Sequence, residues 1–187
     1  MEVFAGPELV QRILAQYALH AFGIHGVGHW ARVLLNGRLL AEETGADPRV
    51  VELFALFHDS RRVNDGTDPE HGRRGAALAQ AKRGEWFQLD EAGMEQLWDA
   101  CAFHSDGLVE HPDVTVRTCW DADRLDLSRV GIRPRPKRLA TQAARRSEVI
   151  ELAVTRGHER LIPDFVTEVW GLELPEPGRR RARYPVP

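Results

Sequence analysis

Apolar residues recur along the chain at intervals of three and four, and this spacing predicts helices throughout. Leu9, Val10, Ile13, Leu14, Tyr17 and Ala18 repeat in this way after Pro7-Glu8, where proline suits a helix start. The stretch Gly23 to Gly28 interrupts the pattern. A second helix is predicted over about 28–44, with Val33, Leu34, Leu40 and Ala41 on its apolar side and Gly45 at its end. Asp47, before Pro48, is a cap for the third, over about 49–60. Val50 to Phe57 is apolar almost all round, which predicts a central, buried helix.

A polar loop follows from Arg61 to Glu70, with turn signals at Asp65-Gly66 and Asp68-Pro69. Asp68 is positioned to cap the next helix, which runs to about Gly84. Further helices are predicted over about 90–104, 114–128 and 136–156, with a last short one over 164–170. No strand alternation competes over any length, and no repeat is present. The expected fold is all-α, a single-domain helical bundle over residues 1–175. The basic, Pro-containing tail 176–187 is expected to be mobile.

Composition narrows the function classes only a little. The chain has 187 residues and a net charge of −3, with 43% hydrophobic and 28% charged residues, ordinary values for a soluble globular protein. That charge gives no sign of nucleic-acid binding, and no apolar run approaches the roughly 20 residues that span a bilayer. Residues 1–7 lack the basic start and apolar stretch of a signal peptide. Cys101 and Cys119 suggest neither a disulfide framework nor a structural zinc site, so a reducing cytoplasm is the expected compartment. Five tryptophans, Trp30 beside His29 among them, are expected in the core. Composition sets no oligomeric state.

The candidate chemistry lies in histidines and aspartates. In chain order these are His29, His58-Asp59, His71, His104 and Asp123, the residue types that ligate transition metals. His58-Asp59 ends a nearly unbroken apolar run, where an unpaired charge is costly. A metal would offset that cost; so would a hydrogen-bonded pair capping the helix. His25 rivals His29, and Asp121 rivals Asp123. Asp121 lies two positions before Asp123, about 200° around a helix, so both do not easily face one ion. Arg61, Arg62, Arg73, Arg74 and Arg124 crowd these motifs and suit phosphate contact, Arg62 first among them; the alternative for each is an exposed face or a salt bridge to Asp65, Asp68 or Asp126. Asp65 is a candidate general acid or base, its alternative being a turn residue.

The order His29-x-x-Arg32-Val33, then an apolar helix ending in His58-Asp59, then Asp-Arg-Leu-Asp from Asp123, resembles the HD superfamily of metal-dependent phosphohydrolases. The resemblance covers roughly residues 23–131. It implies an all-helical HD-domain bundle with His29, His58, Asp59 and Asp123 as metal ligands, leaving one or two positions on an octahedral ion. The implied cofactor is a divalent ion (Mn, Ni, Co, Fe, Zn or Mg), and the implied substrate is a small phosphorylated compound, a nucleotide first. His71 and His104 match the places of a second metal or a phosphate contact. Two-metal branches often carry adjacent histidines at the second place; here Ser105 follows His104, which favours one tightly held ion and a weaker second site. Asn64-Asp65 stands where guanosine-tetraphosphate hydrolases carry Glu-Asp, and the Gly-Tyr-Pro motif of cyclic-dinucleotide phosphodiesterases is missing. Two other functions share the resemblance: a di-iron oxygenase using all six positions, and a non-catalytic, metal-stabilised ligand-binding module.

Overall fold

The computed structural model describes residues 5–175, and the tail expected to be mobile lies outside them. Among these residues the fold is all-helical, with a single isolated bridge between Arg83 and Phe87 as its one trace of β pairing. The α-helices are α1 (Pro7–Leu14), α2 (Val27–Thr44), α3 (Pro48–Phe57), α4 (His71–Lys82), α5 (Glu91–Phe103), α6 (Val114–Leu125), α7 (Gln142–Arg145), α8 (Ser147–His158) and α9 (Phe165–Glu168). None of them is long and apolar enough to cross a membrane.

Local chemistry sets the boundaries. The Asp47 carboxylate accepts from the backbone N–H of Arg49 and Val50 and starts α3. Asp90 and Asp113 start α5 and α6 in the same way. Gly45, in the left-handed conformation, ends α2. Every residue of α3 from Val50 to Phe57 is buried, as its unbroken apolar run predicts. Its one acid, Glu52, accepts from the backbone of Ala5 at 2.7 Å and from Arg38 at 2.6 Å. Trp30, Trp120 and Trp170 are fully buried in the core; Trp86 and Trp98, partly buried, pack against it.

Three expectations need correction. The helix over 136–156 is broken into a 3-10 turn (Pro136–Arg138), α7 and α8. Asp121 accounts for the first break: it accepts from the backbone N–H groups of Ala140 and Thr141, each at 2.7 Å, between the 3-10 turn and α7. Thr141 then caps α7 through its own hydroxyl. Asp121 is itself fully buried. Asp68 does not cap α4 with its side chain; it accepts instead from the Val63 N–H at 2.9 Å and from Arg74 at 2.6 Å, tying the polar loop together. The sixth helix ends at Leu125, and the chain tightens into a 3-10 turn over Asp126–Val130.

The site is placed by packing. α2 lies against α3 and α6, and α4 lies along α5. Gly72 and Gly75 let α4 approach this closely: a Cβ at Gly75 would lie 2.3 Å from the Phe57 carbonyl oxygen, and one at Gly72 would lie 2.3 Å from that of Cys101. The start of α4 thus meets the ends of α3 and α5, which carry His58-Asp59 and His104.

Candidate metal centre

Each histidine of the cluster has its outer nitrogen engaged. His58 donates Nδ1–H to the Phe54 carbonyl at 3.0 Å, one turn back on α3. His104 donates to the Cys101 carbonyl at 2.8 Å. His71 donates to the Asp68 carbonyl. A carbonyl can only accept, so in these three the Nδ1 atom carries the proton. His29 donates Nδ1–H to the Asp126 carboxylate at 2.8 Å, and Asp126 is held by Arg32 through two hydrogen bonds of 2.7 and 3.0 Å. The four Nε2 atoms face inward, away from these anchoring bonds.

They converge on Asp59, in two groups. One Asp59 oxygen, Oδ2, lies 3.6 Å from His29 Nε2 and 3.8 Å from His58 Nε2. Asp123 closes this inner group, with Oδ1 3.4 Å from His29 Nε2 and 4.0 Å from His58 Nε2. The other oxygen, Oδ1, lies 3.2 Å from His71 Nε2 and 3.7 Å from His104 Nε2. Within each group the paired Nε2 atoms are close: 3.0 Å for His29 and His58, 2.9 Å for His71 and His104. Two donors at right angles on an ion with bonds of about 2.1 Å sit roughly 3.0 Å apart. The donor set and spacing therefore fit a divalent ion, and these buried His and Asp groups can hold one.

Electrostatics agree for the inner group. Burial pushes His58 down to about 3, so at neutral pH its imidazole is uncharged and its lone pair free for an ion. Burial opposes ionisation of Asp59 and Asp123, but the surrounding imidazoles outweigh it and hold both carboxyls well below the usual carboxylate range. In the outer group, burial opposes a charge on His104 while Asp59 and Asp123 favour it, and the balance raises its pKa. A proton there is what an arriving cation would displace.

A cavity of about 280 Å³ opens over the cluster, lined by Asp59, His71, His104 and Asp123 with Arg62, Arg124 and Arg129 beside them. A larger one, about 340 Å³, lies away between α1, α3 and the segment 86–88, and contains no histidine or cysteine. The chemistry sits at the smaller one.

The structure brings His29, His58, Asp59, Asp123, His71, His104 and Arg62 together. Arg62 donates to Asp59 Oδ1 at 3.3 Å and to His71 Nε2 at 3.2 Å. Asp65 stands apart from the cluster, its carboxylate 3.0 Å from Nδ1 of His25, and it does not line the cavity. His25 is thereby engaged with Asp65, and burial pushes its pKa down to about 4. Asp126 was not foreseen as a site residue. Its only trace in the sequence is the second acid of Asp-Arg-Leu-Asp, which gains meaning once paired with the Arg of His-x-x-Arg.

No family model matches the chain, and no curated protein or solved structure does so either.

Proposed function

We propose that the chain is a divalent-metal-dependent phosphohydrolase of the HD type, cleaving a phosphate ester or anhydride, with nucleotides as the first substrate class to test. One observation supports this reading above the rest: four imidazole Nε2 atoms and two carboxylates converge beneath a cavity edged by arginines. An ion held by His29, His58, Asp59 and Asp123 supplies Lewis acidity toward a phosphoryl oxygen and a more acidic bound water. The chain's own residues do the rest. Asp126 fixes the ring of His29, and the Phe54 carbonyl fixes that of His58. Arg62 and Arg129, at the cavity, favour an anionic ligand over a neutral one.

A second reading keeps all six positions as ligands of a di-iron oxygenase. The split of the two Asp59 oxygens between two histidine pairs favours it. Metal analysis on protein purified without chelator, with phosphatase and nucleotide panels under Mn, Ni, Co, Mg and Zn, separates the two. A bound divalent ion with phosphate release supports the hydrolase. Two irons with oxygen consumption and no phosphate release favour the oxygenase. No metal under any condition sinks both.

A further inference from the structure

The two halves of the cluster differ in one respect: a cation already sits in the outer one. The Arg62 guanidinium reaches in between Asp59 Oδ1 and His71 Nε2 through a single nitrogen, Nη1. Its other nitrogens are anchored by the polar loop. Nη2 donates to the Gly66 carbonyl at 2.8 Å and Nε to the Asn64 carbonyl at 3.3 Å. The residue is buried, only 8% exposed, so it is built in and not a surface arm.

Three facts make this exclusive. An imidazole nitrogen has one lone pair, which can accept an N–H or bind an ion, but not both. A guanidinium does not deprotonate in a protein, so Arg62 cannot yield by losing its charge. A divalent ion within a few ångströms of a fixed cation meets strong repulsion where water is excluded. Among the described residues no arginine donates to the inner donors His29 Nε2, His58 Nε2, Asp59 Oδ2 and Asp123, and Arg32 is separated from them by Asp126 and His29.

We propose that the Arg62 guanidinium is the resident cation of the outer cluster, so that the chain binds one divalent ion tightly, at His29, His58, Asp59 and Asp123, and a second only weakly unless Arg62 is removed. The inference rests on the reading of the cluster as a metal centre, but not on the reaction catalysed there. Sequence alone pointed to one ion through Ser105; Arg62 supplies a physical cause.

The test is equilibrium dialysis of the metal-stripped, full-length chain against Mn²⁺, with bound metal counted by mass spectrometry. The wild type is expected to hold one ion per chain where the first site saturates. Arg62→Gln and Arg62→Ala are expected to hold two there, the second site gaining on the order of 10–100-fold in affinity. Two equally tight ions in the wild type overturn the inference alone. So does a single ion in either variant when its circular dichroism matches the wild type. Should neither variant fold, the wild-type count still decides. No bound ion in the wild type overturns the metal reading and this inference with it.

Discussion

Asp126 is the residue on which the orientation of His29 depends. It is fully buried, accepts from His29 Nδ1, and is itself clamped by Arg32. Burial raises the cost of its charge, but His29 and Arg32 outweigh that and keep its carboxyl below the ordinary range. Asp126→Asn keeps the shape but offers Arg32 and His29 a weaker acceptor. We expect the helical fold to persist and the affinity for Mn²⁺ to fall on the order of 10–100-fold. Isothermal titration checks this; unchanged affinity means that the His29 ring is held by packing alone. The four inner residues were legible in the sequence because each sits in a local pattern: His58-Asp59 at the end of an apolar run, His29 before Arg-Val, Asp123 before Arg-Leu. The pairing of Arg32 with Asp126 was not, because it spans 94 positions and nothing local in either motif announces it.

At the scale of elements, α4 tolerates little change. It delivers His71 and packs Gly72 and Gly75 against backbone carbonyls of α5 and α3. In Gly75→Ala the new methyl meets the Phe57 and His58 carbonyls at 2.3 and 3.2 Å, and backbone cannot rotate away as a side chain can. We expect a loss of about 1–3 kcal/mol, the usual cost of overpacking, read by urea unfolding. An unchanged midpoint would show that α4 can slide without cost. Helix type was plain from apolar spacing, and α3 was read correctly as the buried centre. The break before α7 was invisible because it depends on a distant acid: Asp121 draws the N–H groups of Ala140 and Thr141 out of any helical ladder. Local propensity carries no information about such a partner.

For the whole molecule, the cluster concentrates buried titratable groups, and this sets how stability follows pH. His58 and His25 are pushed down to about 3 and about 4 by burial. The unfolded chain takes up protons on these residues below about pH 6.5, while the folded chain resists. Their contribution is therefore complete above about pH 6.5 and is lost progressively as pH falls toward 3–4. Asp59, Asp123 and Asp126, all lowered, add a loss below the ordinary carboxylate range. His104 and the buried Asp121, both raised, work the other way and favour the folded state at lower pH, but they are two groups against two histidines and three acids. With chelator present, the melting temperature should fall steadily below about pH 6.5. Mn²⁺ at about 100 times its Kd should add roughly 2.7 kcal/mol at neutral pH, a rise of about 5–10 °C for a chain this size. Protons compete for the same Nε2 atoms, so that rise should shrink as pH falls. Differential scanning calorimetry across the range reads both effects together. A flat apo profile down to about pH 4 would mean that His58 and His25 are not buried neutral groups. A metal-induced rise that persists undiminished at that pH would place the ion on carboxylates alone, away from the histidines.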